Sequence, residues 1–157
     1  MLDADLNKSA RKLGLTVTEL NFLWTIYYEK ELTVSRMAEL TLLDSSTVTQ
    51  VINRLKNKKL VCSRKKLEDT RFSYLRLTDM GNEKRKLSMR SNNESAFFEF
   101  LVKEMKIPDE KEKIVITLDF LKKINQHFHG EEFINWVYSL PEKLEKEINE
   151  NSKTPEN

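Results

Sequence analysis

Residues 45–57 carry uncharged hydrogen-bonding side chains at helical spacing, which suits the recognition of nucleic-acid bases. At about 100° per residue, the apolar members of this stretch fall on one side of a helix and its polar members on the other. Ser, Thr, Gln and Asn are mediocre helix formers, and together with Arg they read base edges in the major groove of DNA. A merely polar helix is the alternative interpretation. The candidate DNA contacts are Ser45, Ser46, Thr47, Thr49, Gln50, Asn53 and Arg54.

A basic β-hairpin is predicted directly after this helix. The apolar period changes to two after Leu60, so residues 60–65 and 72–77 are expected to be strands. The connection between them is charged, and its basic side chains would reach phosphates or an adjacent minor groove. A helix followed by a basic hairpin is the order of a winged helix-turn-helix. The basic candidates in this wing are Arg64, Lys65, Lys66 and Arg71.

The charge distribution supports a polyanion partner. The net charge of +2 divides into −1 over residues 1–43, +8 over residues 44–90 and −5 over residues 91–157. A basic middle between acidic ends indicates one surface for a polyanion such as DNA. A solvated basic face without a partner is the alternative on charge alone.

Composition indicates a mainly α protein. The 157 residues include only three Gly and three Pro, which favours long helices over many tight turns. No stretch is apolar enough to span a membrane, and the acidic start is unlike a signal peptide. No membrane partner is therefore expected. A single Cys cannot form an internal disulfide, so the cytoplasm is the expected compartment.

Several further helices are expected around the wing. They cover residues 3–12, 17–30, a short segment after Thr33, 79–105, 110–128 and a last helix after Gly130 that Pro141 kinks or restarts. Residues 151–157 are expected to be a disordered tail. The C-terminal helices are more apolar than a small winged domain needs, so we expect them to pack on a second subunit. The alternative is that they fold back on their own domain.

The run from Leu40 to Gly81 resembles the MarR family of bacterial winged-helix regulators. The similarity rests on Ser45–Thr49, Arg54-Leu55, Leu60-Val61, Arg64, Asp69-Thr70-Arg71 and Leu77–Gly81. It implies a homodimer that places two recognition helices in successive major grooves of a palindromic site. It also implies that Asp69 orients the wing and that Arg71 enters the minor groove.

The resemblance implies a single domain over residues 1–150. Its winged-helix core would cover about 15–80, with a two-stranded β-wing, and its dimerisation helices about 1–13 and 82–150. Two features depart from the family pattern. The first helix is short, and Lys58-Lys59-Leu60 stands where a Gly commonly ends the recognition helix, so Lys59 is expected to be left-handed unless the turn differs.

A weaker similarity covers residues 127–133, whose sequence and position resemble the Hpr (ScoC) branch of the family. That branch represses exoprotease and sporulation genes in bacilli. Members of the family often bind small phenolic or lipophilic effectors at the dimer interface, so a small-molecule effector stays open, although the sequence identifies none.

No catalytic motif is present, so an enzyme is not expected, and neither is a cofactor. A metal site at His127 and His129 is outweighed by local structure at a helix end, because residues two apart point in different directions on a helix. We expect Cys62 to be a buried, inert thiol rather than a redox sensor.

We therefore expect a sequence-specific double-stranded DNA-binding regulator that acts as a repressor. The rival is a protein–protein adaptor on a winged-helix scaffold, which would more commonly show exposed apolar anchors on the helix at 45–57.

Overall fold

The computed structural model describes residues 2–65, 71–91 and 96–151. It is mainly helical, which confirms the expected fold class. By internal contacts the chain forms two compact units, residues 1–103 and residues 104–157. The elements are α1 (Leu2–Lys12), α2 (Val17–Glu29), α3 (Val34–Thr41), α4 (Ser45–Asn57), β1 (Val61–Lys65), β2 (Ser73–Leu77), α5 (Asp79–Ser91), α6 (Ala96–Glu104) and α7 (Pro108–Asn151).

Side-chain caps fix the starts of three consecutive helices in the first unit. Thr16 begins α2, and its hydroxyl accepts a hydrogen bond from the backbone N–H of Glu19 at 3.1 Å. Thr33 begins α3 in the same way, as the sequence predicts. Asp44 begins α4 because its carboxylate accepts the backbone N–H groups of Ser46 and Thr47. Each cap satisfies amides that would otherwise lack a partner at a helix start.

The recognition-helix candidate α4 ends without a glycine. The backbone N–H of Leu60 donates to the carbonyl of Leu55 at 3.0 Å, and that of Lys59 donates to Lys56 at 2.9 Å. This pair of bonds is a Schellman ending, which requires a left-handed residue at its centre. Lys59 takes that position with φ of 59°, which confirms the left-handed conformation expected from the sequence.

The wing is a two-stranded antiparallel sheet in the register Val61↔Leu77 to Lys65↔Ser73. Leu32 adds a short third contact, because its backbone exchanges hydrogen bonds with that of Leu75 at 2.8 and 3.3 Å. No pattern in the sequence indicated this bridge. It holds the base of the wing against the segment between α2 and α3.

The core of the first unit lies between α2, α3, α4 and the inner face of the wing. Phe22, Leu23, Met37, Leu55 and Leu75 are all at most 1% exposed. The apolar stripe predicted for α4 is part of this core. It consists of Val48, Val51, Ile52 and Leu55.

The start of α5 packs tightly on the end of α4. The hydroxyl of Thr78 donates to the carbonyl of Lys59 at 2.7 Å and accepts from the backbone N–H of Gly81 at 3.1 Å. A Cβ atom on Gly81 would overlap the carbonyl oxygen of Leu60 and lie 3.0 Å from its carbonyl carbon. The glycine is therefore required by close backbone approach.

The second unit is built on α7, which is interrupted at Gly130, where φ is 82° and ψ is 169°. An apolar groove of about 360 Å³ lies beside this interruption, lined partly by Leu118, Leu121 and Val137. Pro141 lies inside the second helical segment. No helix in the described ranges is long and apolar enough to cross a membrane.

Some expectations fall partly or wholly outside the described residues. The expected helix over 79–105 is described as α5 and α6, and residues 92–95 between them lie outside the described ranges. The same holds for wing residues 66–70, which include Lys66 and Asp69, and for residues 152–157 of the expected tail.

Candidate nucleic-acid interface

The middle of α4 presents two amide side chains to solvent. Gln50 and Asn53 are exposed, on the side opposite the buried stripe. Neither side chain has a hydrogen-bonding partner within the part of the chain that the structure describes. A carboxamide has both donors and acceptors, and it can form a bidentate pair with adenine. Among the sequence candidates, these two residues are thus the best placed for the predicted role in base reading.

The first turn of α4 uses its hydroxyls differently. The hydroxyls of Ser46 and Thr47 donate to the carboxylate of Asp44, and the hydroxyl of Thr49 donates to the carbonyl of Ser45 at 2.8 Å. Each hydroxyl has a single hydrogen, so in this arrangement it presents only acceptor lone pairs outward. The hydroxyls of Ser46 and Thr47, with the backbone N–H groups beside them, hold the pKa of Asp44 well below its usual range.

The last turn of α4 is attached to a carboxylate in α2. Lys58 Nζ lies 2.8 Å from Oε2 of Glu19, and Nε of Arg54 lies 3.7 Å from Oε1 of the same residue. The side chain of Glu19 is 1% exposed, whereas that of Arg54 is 55% exposed. The structure therefore places Arg54, a predicted base reader, partly in an internal ion pair.

Glu19 was missed as a functional candidate, although one local signal was present. The pattern Thr16-x-x-Glu19 is a capping box, in which the Glu carboxylate accepts the N–H of the capping residue. That hydrogen bond is 2.8 Å long. The sequence could thus have indicated the cap, but not the two cations from α4.

Basic side chains line the outer part of the wing. Arg64 and Lys65 are exposed at the end of β1, and Arg76 is exposed on β2. None of the three has an ion-pair partner among the residues described. Arg71 is exposed, with its guanidinium 5.7 Å from the ring centre of Phe72. The described part of the wing thus offers several cations for phosphate contacts.

Other basic residues of the middle region serve the interior. Lys84 Nζ donates to the carbonyl of Leu13 at 2.8 Å. Arg85 is fully buried, and its guanidinium lies 3.5 Å from the ring centre of Tyr27 and 4.7 Å from that of Trp24. These two cations stabilise the packing of α5, so the charge of +8 overstates what is available to a partner.

The remaining chemical candidates are local features. Cys62 is a free thiol and is half-buried on β1, less covered than expected. The ring of His127 contacts Phe128, and that of His129 contacts Phe133. No group of three or more potential metal ligands occurs among the residues that were described.

Comparison with known proteins agrees with this arrangement. A family model described as "MarR family" matches residues 13–71. The HTH-type transcriptional regulator YdgJ of Bacillus subtilis is 28% identical over 117 residues, which cover 74% of this chain and 68% of YdgJ. The regulator Hpr of Shouchella clausii is 29% identical over 126 residues, and the chain spans only 60% of its length.

The fold is also similar to solved structures. A mutant of MarR from E. coli, in complex with operator DNA, matches with a TM-score of 0.54 and 20% identity. The match covers 66% of this chain and 84% of that one. At this identity the likeness concerns the winged-helix fold alone. The sequence relatives are named as transcriptional regulators and not as enzymes, which confirms the expectation of a non-enzyme.

Proposed function

We propose that this chain is a transcriptional regulator of the MarR family that reads double-stranded DNA as a homodimer and acts as a repressor; the match of residues 13–71 to the model of that family supports the assignment. The observation that carries the proposal is the pair Gln50 and Asn53, which are exposed without partners among the described residues at the middle of α4. A helix of this kind fits the major groove, whose base edges offer matching donors and acceptors.

The wing supplies the sequence-independent part of binding. Arg64, Lys65 and Arg71 would contact phosphates or the minor groove beside the helix site. Each phosphate contact releases counterions, so binding would weaken steeply with salt. Division of labour between amides on α4 and cations on the wing is typical of a sequence-specific binder.

A second copy is supported by the apolar surface of α7. Ile116, Phe120 and Phe128 are each more than 60% exposed. Large apolar side chains exposed together along one helix are typical of protein–protein interfaces. A homodimer would cover them and present two copies of α4 to a two-fold symmetric site, which would block a promoter when occupied.

Selection from random duplex DNA with the purified protein tests the proposal. We expect a palindrome whose half-sites are separated by about one helical turn. On that site, Gln50→Ala should cost about 1–3 kcal/mol and relax the preference at one position, while non-specific binding persists. Arg71→Ala should weaken binding to all sequences and flatten the salt dependence.

The contrary outcomes are distinct. An equal loss on all sequences for Gln50→Ala would remove its role in base reading. An unchanged salt dependence for Arg71→Ala would place that side chain away from DNA. Recovery of no sequence by folded protein at low salt would favour the adaptor on a winged-helix scaffold.

A further inference from the structure

One buried carboxylate connects parts of three helices in the first unit. Oε2 of Glu19 accepts hydrogen bonds from the backbone N–H of Thr16 and from Lys58 Nζ, both at 2.8 Å. Oε1 faces the guanidinium of Arg54 at 3.7 Å. Lys58 Nζ also donates to the carbonyl of Gly14 at 2.9 Å, just after α1 ends. We name these groups the Glu19 anchor: the Glu19 carboxylate, the side chains of Lys58 and Arg54, and the Gly14 carbonyl.

The anchor carboxylate is charged at neutral pH. Burial alone would raise the pKa of Glu19, but the hydrogen bonds from Lys58 and Thr16 and the positive charges of Lys58 and Arg54 outweigh it and leave the pKa below its ordinary value. A buried ion pair adds little net stability compared with an apolar contact of the same shape, and its best-attested role is to specify one arrangement.

The anchor supplies directional polar contacts at the end of α4, whose buried face otherwise packs through apolar contacts. The buried face of α4 is purely apolar, and apolar contacts are non-directional. Asp44 caps the first turn from within the same segment, so it does not attach the helix to another element. Among the residues that the structure describes, the directional contacts that attach α4 to α2 are those of Arg54 and Lys58 with Glu19.

We propose that Glu19 is a positioning residue for base reading, which holds the last turn of α4 and so fixes the direction in which α4 presents Gln50 and Asn53. This inference rests on the proposed DNA-binding function. Bidentate hydrogen bonds to a base require close alignment, so a small rotation of α4 costs specificity without removing phosphate contacts on the wing.

Hydrogen exchange on the free protein tests the anchor without DNA. In Glu19→Gln we expect amide protection to fall selectively at residues 54–58, while the first turn of α4 keeps its protection. Glu39→Gln is the matched control, because Glu39 is an exposed carboxylate on α3 that pairs within its own helix, with Arg36. Unchanged protection at residues 54–58 in Glu19→Gln would overturn the proposal whatever the DNA result.

DNA binding then tests the consequence. For Glu19→Gln we expect affinity for the selected site to fall about tenfold relative to random DNA, while affinity for random DNA stays equal or rises because a negative charge is lost. A purely structural defect would lower both affinities by the same factor. An unchanged ratio of the affinity for the selected site to that for random DNA would therefore overturn the positioning role.

A change at Lys58 tests the same positioning role, and it does so even if Glu19→Gln does not fold. Its side chain is 39% exposed, so Lys58→Met is expected to fold and to lose specificity as Glu19→Gln does. The variant with both changes should lose no more specificity than either single variant. Lys58→Arg, which keeps a cation, should restore the ratio of the affinity for the selected site to that for random DNA. A salt slope lower by about one in Lys58→Met would instead assign Lys58 to a phosphate and overturn its part in the anchor.

The proposed function and this inference can fail separately. If the unaltered protein selects no DNA site, the proposed function fails, and the role of Glu19 in base reading fails with it. If it selects a site that Glu19→Gln still reads with the same preference, only the positioning role fails.

Discussion

Replacement of Gly81 by alanine gives the sharpest test of the packing at the base of the wing. Gly81 lies in the first turn of α5, where helix propensity alone predicts that alanine stabilises the protein by about 1 kcal/mol. The contact with Leu60 predicts the opposite sign, because the added Cβ would overlap the Leu60 carbonyl oxygen.

The size of the stability loss in Gly81→Ala depends on how far the Leu60 carbonyl can move. That oxygen belongs to backbone and accepts a hydrogen bond from the N–H of Thr78 at 3.1 Å, so it cannot turn away as a side chain could. Overpacking typically costs about 1–3 kcal/mol, and a weakened hydrogen bond costs about 0.5–1.5 kcal/mol. After the propensity gain is subtracted, Gly81→Ala should lower the free energy of unfolding by about 2 kcal/mol.

Urea unfolding followed by circular dichroism measures this change. Met80→Ala is the matched control, because Met80 is the preceding residue in α5 and its side chain is 55% exposed. We expect the control to lie within about 0.5 kcal/mol of the unaltered protein. A more stable Gly81→Ala protein would refute the close approach of α5 to Leu60.

Three further predictions concern the first unit. Lys59→Gly should raise the free energy of unfolding by about 1 kcal/mol, because glycine adopts the left-handed conformation of residue 59 without strain. Lys59→Ala should give no gain, and urea unfolding of both variants and the unaltered protein measures the difference. The pKa of Glu19 is lowered in the folded protein, so its contribution to stability is present above the unfolded pKa of about 4.3 and is lost as the pH falls through the folded pKa. The difference in free energy of unfolding between the unaltered protein and Glu19→Gln should therefore narrow in acid. A difference that widens in acid would contradict the pairing of Glu19 with Lys58 and Arg54. Arg85→Met should lower the free energy of unfolding by about 2 kcal/mol in urea, because the contacts of a buried cation with two aromatic rings are lost. Lys86→Met, at the exposed neighbouring position, should change the free energy of unfolding little.

Helix starts and strand alternation were predictable because their causes lie within a few residues. Thr33 and Asp44 accept hydrogen bonds from amides two or three positions ahead, so the cap is visible in the sequence itself. The period of two in residues 73–77 puts Leu75 and Arg76 on opposite faces of a strand, and the structure buries Leu75 and exposes Arg76. The left-handed Lys59 was also predictable, because a Schellman ending needs that conformation whichever residue occupies it.

Contacts between distant segments were not predictable from such patterns. The bridge between Leu32 and Leu75 joins residues in different elements, and no local signal marks a single bridging residue. Arg85 stands between Lys84 and Lys86 in the sequence, yet it is fully buried against α2. Whether an arginine meets solvent or aromatic rings depends on which helix packs against it, and that is a property of the tertiary structure.

The same reasoning explains why net charge was a coarse guide to the interface. The carbonyls of Leu13 and Gly14 lie in the turn just after α1 ends, where a helix C-terminus attracts cations. Lys84 donates to the first carbonyl and Lys58 to the second. Both lysines count toward the basic middle in composition, but their ammonium groups are committed to this turn. The charge that would serve the proposed DNA-binding surface is therefore the exposed charge of the wing, whereas the regional sum also includes cations that hold α4 and α5 against the end of α1.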